Sequence, residues 1–135
     1  MALTVFDADV LIGYLDRSDA HHEEAIERVG GAVRERTRRW LATATYAELL
    51  VGPLRAVGKR GADRVDRMLA DLRIEHVDVD RALARLGAEV RQQTSLTIAD
   101  AMVVATAVSA RRRGFEDVVV ESFDARVQRA FAALS

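Results

Sequence analysis

Short apolar runs alternate along this chain with longer segments in which the apolar residues recur at helical spacing. The apolar runs are rich in β-branched residues, which is typical of buried strands. They predict four strands, at residues 2–6, 40–44, 74–79 and 117–122. Since strands and helices alternate in order, the pattern predicts an α/β fold with a mostly parallel central sheet.

The segments between the predicted strands repeat apolar residues every three or four positions and therefore predict helices. Their boundaries are 7–16, 18–36, 45–52, 60–73, 80–94, 97–113 and 124–134. The helix at 97–113 is apolar nearly all round, which predicts that it is buried between layers. The only proline, Pro53, follows Gly52 and is expected to bend or end the helix that begins at residue 45.

Composition narrows the class of protein. A chain of 135 residues, half of them hydrophobic, is expected to form a single folded domain over 1–135. The 20 basic and 21 acidic residues nearly cancel, which excludes a wholly basic nucleic-acid coat protein. The absence of cysteine excludes disulfides and cysteine-ligated zinc. Acids at positions 7 and 9 argue against a signal peptide, and no apolar stretch is long enough to cross a membrane, so we expect a cytoplasmic protein.

Isolated acids stand out within three apolar stretches. Asp7 and Asp9 are the only charged residues from 1 to 15, Glu48 is the only one from 41 to 54, and Asp100 is the only one from 96 to 110. A fourth position, Asp124, follows the last predicted strand. Each acid is predicted at a loop-to-helix junction, with Glu48 and Asp100 in first helical turns. Ligands of parallel sheets bind at the carboxyl ends of the strands, so these acids are expected to converge at one edge.

Helix capping is a simpler explanation for each acid taken alone. Thr45 with Glu48, and Thr97 with Asp100, fit the capping-box spacing, and Asp124 could be an N-cap. Capping does not explain why all of them lie in uncharged surroundings. Clustered carboxylates without a nearby lysine or arginine repel one another, and a divalent cation relieves that repulsion. All-oxygen ligands favour Mg²⁺ or Mn²⁺, so the group predicts a metal site.

Four segments containing these acids resemble the acidic motifs of the PIN-domain ribonucleases, and most closely the VapC toxins of bacterial toxin–antitoxin pairs. The segments are VFDADVLIGYLD, TATYAELLVG, TIADAMVVATAV and VVESFDARV, in the family's order and spacing. The resemblance spans nearly the whole chain and implies a three-layer α/β/α sandwich with helices on both faces of the sheet. It places the four acids of the family on Asp7, Glu48, Asp100 and Asp124.

The resemblance also implies an activity and partners. The expected activity is Mg²⁺- or Mn²⁺-dependent cleavage of RNA, with the four acids as catalytic and metal-binding residues. Ser122 is expected in a supporting role where the family more often has threonine, and Asp9 stands where serine or asparagine is more usual. Glu121 is a weaker candidate for the fourth acid, since it should face away from Ser122. The implied partners are an RNA substrate, a VapB-like antitoxin and a second copy of the chain.

Two alternative functions remain open from the sequence. VFDADVL approximates the D-x-D start of haloacid-dehalogenase-type phosphatases, with Asp7 as nucleophile and Lys59 as the only lysine. That family usually has a glycine-threonine pair after the second Asp, where this chain has Val10 and Leu11. The second alternative is an interaction module in which the acids only cap helices.

Basic and aromatic residues add little to the predicted function. RNA would need cationic contacts, for which the candidates are the basic runs at 34–39, 58–61 and 111–113. His21, His22 and His76 are expected in surface or packing roles. Aromatic residues make up 5% of the chain, which is too few for a platform of stacked bases.

Overall fold

The computed structural model describes residues 1–134 and contains one four-stranded parallel sheet. The strands are β1 (Ala2–Phe6), β2 (Arg38–Ala42), β3 (Glu75–Val77) and β4 (Asp117–Glu121). Their order across the sheet is β3-β2-β1-β4, and every neighbouring pair is parallel. The chain therefore extends from β1 first to one side and finally, with β4, to the other. This reversal of strand order opens a crevice at the carboxyl ends of β1 and β4.

Within residues 1–134 there are seven helices, of which six lie between strands and the last follows β4. They are α1 (Ala8–Leu15), α2 (His22–Arg34), α3 (Thr43–Val57), α4 (Lys59–Asp71), α5 (Arg81–Gln93), α6 (Ile98–Arg112) and α7 (Ala125–Leu134). No helix in this range is both long and apolar enough to cross a membrane.

The helices cover both faces of the sheet and bury two hydrophobic cores. Leu3 and Val5 of β1 belong to the core formed with α5, α6 and α7, whereas Phe6 belongs to the core formed with α1 to α4. Adjacent residues of a strand point to opposite faces, so β1 contributes to both cores. The three-layer α/β/α sandwich and the parallel sheet expected from the sequence are confirmed.

The helix α6 is the most buried element, as its all-round apolar composition predicts. Nine of its residues are buried, and the hydroxyl of Thr106 donates to the carbonyl of Met102 at 2.7 Å. That bond satisfies a polar group that would otherwise be buried without a partner. A helix packed on all sides holds its first turn, which carries Asp100, in a fixed position against the sheet.

Several element boundaries differ from the sequence prediction, among them those of the second strand and of α3. The second strand covers 38–42 and not 40–44, so α3 begins at Thr43, where the Thr43 hydroxyl accepts from the backbone N–H of Val79 at 3.1 Å. The sequence predicted that Pro53 bends or ends the helix. The prediction that it ends the helix is wrong, because α3 continues through Pro53 to Val57. The helix ends instead at Gly58, whose φ of 64° is a backbone conformation that glycine adopts without strain.

Candidate active site at the carboxyl edge of the sheet

Asp7 is the most buried acid of the site, at 5% exposure. It follows β1 and is the N-cap of α1, where Oδ1 accepts from the backbone N–H of Ala8 at 2.7 Å. Oδ2 accepts from the hydroxyl of Ser122 at 2.8 Å. Burial, together with the neighbouring charge of Asp9, raises the pKa of Asp7 to about 6, although both hydrogen bonds act in the opposite direction. Asp7 is thus an acid whose negative charge the fold compensates only partly.

Asp9 lies in the first turn of α1, on the side that faces the end of β4. Its Oδ2 accepts from the backbone N–H of Phe123 at 3.0 Å. Its Oδ1 is buried and has no hydrogen-bond partner within residues 1–134. Burial raises the pKa of Asp9, and the negative charge of Asp124 raises it further. A buried carboxylate oxygen without a donor is costly, and it is a candidate ligand for a cation.

Ser122 connects the acids that follow β1 and β4. Its Oγ donates to Asp7 and accepts from the backbone N–H of Asp124 at 3.0 Å. Glu121 precedes it as the last residue of β4 and forms a 3.1 Å ion pair with Arg28 on α2. Ser122 therefore contacts both Asp7 and the backbone of Asp124, and its supporting role stays a prediction.

Asp100 occupies the first turn of α6, as expected, and Thr97 is the N-cap of that helix. The hydroxyl of Thr97 accepts from the backbone N–H of Asp100 at 3.3 Å, so the predicted capping contact is present. The charge of Asp100 also raises the pKa of both Asp7 and Glu48. Asp100 therefore donates its backbone N–H to the capping residue Thr97, while its side chain contributes negative charge to the site.

Glu48 does not lie in a first helical turn, which corrects the sequence prediction. Since α3 begins at Thr43, Glu48 is the sixth residue of the helix, and Thr45 is buried within the helix and is not its N-cap. Glu48 nevertheless faces the other acids. Partial desolvation, followed by the charges of Asp7 and Asp100, raises its pKa, while the residue as a whole stays exposed.

Asp124 has a cationic partner, contrary to the expectation that no lysine or arginine lies near the acids. Arg126 binds both oxygens of the Asp124 carboxylate, at 3.2 Å and 2.9 Å. Asp124 Oδ1 also accepts from the backbone N–H of Arg126, as an N-cap residue does. The Arg126 hydrogen bond lowers the pKa of Asp124, whereas burial raises that of Asp7 and Asp9.

The site therefore combines five carboxylates, which we call the carboxylate cluster: Asp7, Asp9, Glu48, Asp100 and Asp124. Their mutual electrostatic effects link them into one group. The hard oxygen donors and the unpartnered Asp9 Oδ1 fit Mg²⁺ or Mn²⁺. Within residues 1–134 no three Asp, Glu or His side chains are already arranged to hold one metal ion. Binding of a cation would thus require the carboxylates to draw together.

Two of the three predicted basic runs lie away from this cluster. Arg38 and Arg39 open β2 and so lie at the amino edge of the sheet, where Arg38 pairs with Glu75. Arg111 and Arg113, at the far end of α6 from Asp100, lie over the rings of Phe131 and Trp40. The run at 58–61 begins α4. A cation that contacts the cluster is instead Arg126 of α7, while Arg28 of α2 pairs with Glu121 at the end of β4.

The three histidines form packing contacts, as expected. The ring of His76 packs edge-on against Tyr46, and Nδ1 of His22 is 2.7 Å from the carbonyl of Gly13. His21 stacks on Phe123, the residue that follows Ser122. This last contact places one histidine at the margin of the carboxylate cluster.

Comparison with known proteins agrees with this geometry. The model of the PIN domain matches residues 4–133. The chain belongs to the PIN-domain family. No curated protein sequence matches the chain. The resemblance to PIN domains inferred from the acidic motifs is confirmed.

Solved structures of VapC toxins share the PIN-domain fold with this chain. VapC20 of Mycobacterium tuberculosis, a toxin described as cleaving the sarcin-ricin loop, aligns with a TM-score of 0.70 at 16% identity over 94% of each chain. VapBC2 of Rickettsia felis, bound to a promoter DNA fragment, aligns with a TM-score of 0.63 at 12% identity over 90% of this chain and 99% of that one. DNA-bound VapBC of Salmonella typhimurium gives 0.56 at 16% identity, over 90% and 98%.

Sequence reasoning missed two features of the PIN-domain site. Arg126 is two residues after Asp124, and an arginine just inside a helix that an aspartate caps is a signal that could have suggested the pair. The stacking of His21 on Phe123 joins residues about a hundred positions apart, and no local pattern indicates it.

Proposed function

We propose that this PIN-domain protein is a metal-dependent endoribonuclease and the toxin of a VapBC-type toxin–antitoxin pair. The observation that carries the proposal is the buried Asp7 carboxylate, held by Ser122 and raised in pKa within a group of further acids. In such an arrangement the negative charges repel one another, and a bound cation would reduce that repulsion. Family membership and the fold shared with VapC toxins support the same activity.

Asp7, Asp100 and Asp124 would hold the metal, Glu48 would complete this set or act as the base on the attacking water, and Asp9 would assist through its free oxygen. When bound, Mg²⁺ or Mn²⁺ supplies charge neutralisation at the phosphodiester and activation of a water molecule. Ser122 fixes the orientation of Asp7 by donating to Oδ2. Asp124 becomes available when Arg126 releases it, and Arg126 is then free to contact a phosphate of the RNA.

Glu48 is suited to act as the general base. It is exposed, lies within the electrostatic influence of Asp7 and Asp100, and has a raised pKa. A carboxylate with a raised pKa accepts a proton more readily than an ordinary one. Glu48 can therefore take the proton of the attacking water as the phosphodiester bond is cleaved.

The proposed partners are an RNA substrate, a VapB-like antitoxin and a second copy of the chain, all in the cytoplasm. The DNA-bound VapBC neighbours support the antitoxin. An exposed apolar strip on α3, formed by Val51, Leu54 and Val57, offers a surface for a protein partner. Size measurement of the purified chain, alone and with a VapB-like protein, tests both assemblies.

The haloacid-dehalogenase alternative finds no support in the site. Asp7 has both oxygens engaged with Ala8 and Ser122, and burial and the charge of Asp9 are the main causes of its raised pKa. Lys59 begins α4 next to Gly58. An interaction module remains the competing proposal, and it predicts that neither Mg²⁺ nor Mn²⁺ binds.

The decisive experiment measures RNA cleavage with and without Mn²⁺, comparing the wild type with Asp100→Asn. The proposal expects Mn²⁺-dependent cleavage by the wild type and loss of cleavage in the variant, because Asp100 contributes charge to the cluster. Asp117→Asn, at the amino end of β4, is the matched control and should cleave at the wild-type rate. Equal cleavage by the wild type and Asp100→Asn would disprove the proposed site.

A further inference from the structure

A shallow pocket of about 470 Å³ adjoins the carboxylate cluster on the side of α2 and α7. We call it the stacking pocket, and its lining includes His21, Glu24, Arg28, Ser122, Phe123 and Arg129. Its size is within the range of small-ligand sites. None of the roles proposed above uses its aromatic side chains.

The pocket presents an aromatic stack with a cation beside it. The rings of His21 and Phe123 are stacked, with centroids 4.7 Å apart and planes inclined by 22°. The guanidinium carbon of Arg28 is 5.2 Å from the centre of the Phe123 ring. The side chain of His21 is 56% exposed, so the imidazole face opposite Phe123 is accessible to a planar ligand.

Two hydrogen bonds tie this stack to the carboxylate cluster. The backbone N–H of Phe123 donates to Asp9, and Ser122, which lines the pocket, donates to Asp7. The stack and the acids are therefore attached to the same short segment after β4. A ligand whose charged group lies at the acids would place an adjoining planar group against His21.

Arg129 adds a positive charge to the pocket. It is exposed on α7 and forms no ion pair within residues 1–134. Arg28, in contrast, is neutralised by Glu24 and Glu121. The pocket thus offers an aromatic face for a base and one uncommitted cation for a phosphate, which is how proteins bind single-stranded RNA.

We propose that the stacking pocket binds one nucleobase of the RNA, next to the phosphodiester that the carboxylate cluster cleaves. The inference rests on the proposed nuclease function and adds a residue, His21, that determines substrate preference. Purines stack more strongly than pyrimidines, so a purine is expected at this position. A single His–Phe pair serves one base and does not require the aromatic-rich platform that the composition argues against.

The test measures binding of a short fluorescein-labelled single-stranded RNA that spans the wild-type cleavage site, by fluorescence anisotropy. All proteins carry Asp100→Asn so that the RNA stays intact. His21→Ala is expected to weaken binding about tenfold, and His21→Tyr, which retains an aromatic face, is expected to restore it. The His21 side chain forms no helix-capping hydrogen bond, so its removal should leave α2 folded.

The matched control is His76→Ala. His76 also packs against an aromatic ring, that of Tyr46, but it lies in β3 at the opposite edge of the sheet. It should bind RNA as tightly as the parent protein. Equal affinities of the His21→Ala and His76→Ala proteins would overturn the inference.

A second arm replaces single nucleotides of the RNA by abasic ones. At one position next to the cleaved bond, removal of the base should weaken binding to the protein that retains His21 by about the same factor as His21→Ala does. In the His21→Ala protein, removal of the same base should not weaken binding further. Equal losses in both proteins at every position would contradict base stacking on His21.

The same experiment separates failure of this inference from failure of the proposed function. If the wild type cleaves RNA and His21→Ala does not weaken RNA binding, the nuclease proposal stands and the stacking pocket is disproved. If the wild type cleaves no RNA, the nuclease proposal fails. Mixed-sequence single-stranded RNA then tests the pocket, and binding that His21→Ala does not weaken overturns it.

Discussion

Asp7 shows at the scale of one residue what the proposed site costs the fold. Its carboxyl has a pKa of about 6 in the folded chain, against 3.8 for an ordinary aspartate. Between these two values the folded state holds more protons than the unfolded state, so stability falls as pH rises through that window. Above pH 6 the ionised Asp7 carboxylate lowers the free energy of unfolding by its full amount, roughly 3 kcal/mol.

Asp7→Asn is therefore expected to stabilise the metal-free protein at neutral pH, by up to roughly 3 kcal/mol. Asparagine has the same shape, keeps an acceptor for the N–H of Ala8 and carries no charge. The gain should shrink as pH falls below 6 and vanish below the unfolded pKa. Urea unfolding in the presence of a chelator, at a series of pH values, measures this difference.

Asp16→Asn is a control for which the opposite change in stability is expected. Hydrogen bonds from Ser18 lower the pKa of Asp16, so its ionised form favours the folded state. Its replacement should cost stability at neutral pH, and the cost should disappear as pH falls through the lowered pKa. If Asp7→Asn proved no more stable than the wild type at neutral pH, the ionised Asp7 carboxylate would not destabilise the fold as proposed.

The ion pair between Arg126 and Asp124 leads to a second prediction at this scale. Arg126→Gln removes the cation that occupies both oxygens of Asp124. The variant should bind Mn²⁺ about two- to fivefold more tightly, since the metal no longer competes with a weak, exposed ion pair. Calorimetric titration measures the affinity. Arg112→Gln, which removes the same charge at the far end of α6, should leave it unchanged.

The helix pair α3 and α4 carries the prediction at the scale of elements. A Cβ on Gly61 would overlap the carbonyl oxygen of Pro53, so the two helices pack with backbone against backbone. Gly61→Ala must push them apart and should cost about 1–3 kcal/mol of unfolding free energy. Thermal or urea unfolding of the purified variant provides the measurement.

Gly31→Ala is the matched control for Gly61→Ala. It lies in the interior of α2, and a Cβ there meets only the end of the flexible Arg34 side chain, at 3.8 Å. Alanine should stabilise that helix by about 0.5–1 kcal/mol. Two Gly→Ala variants of opposite sign would establish the close approach at Gly61, whereas two stabilising variants would contradict it.

Elements differed in how well the sequence predicted them. Helix α6 was predictable because its apolar composition and Thr97 act locally. The start of α3 was not, because Thr43 joins the helix while its hydroxyl binds Val79, a contact between distant segments. That shift of two residues is what moved Glu48 out of the first turn. The positions of Asp7 and Asp124 were predictable since strand ends fix them, whereas the pairing of Asp124 with Arg126 depended on side-chain geometry.

At the scale of the whole molecule, the proposed metal site would couple cation binding to stability. A ligand that binds only the folded state stabilises it by mass action. Mg²⁺ or Mn²⁺ should therefore raise the unfolding temperature of the wild type, and a chelator should reverse the increase. The effect should grow with pH through the range where Asp7 ionises and be much smaller in Asp7→Asn. Differential scanning calorimetry tests this, and an equal increase in both proteins would contradict it.

The central place of β1 governs the order in which the molecule can fold. Residues 2–6 pair directly with residues 117–121, and the side chain of Asp7 is held by Ser122, 115 positions later. Contacts that distant in sequence form late and slow the folding of a chain. On the ribosome, β1 emerges well before β4, so the pairing of these two strands forms only after β4 has been synthesised. The acids of the proposed nuclease therefore come together only after synthesis has passed Asp124, and a growing chain carries no assembled site that could attack the RNA around it.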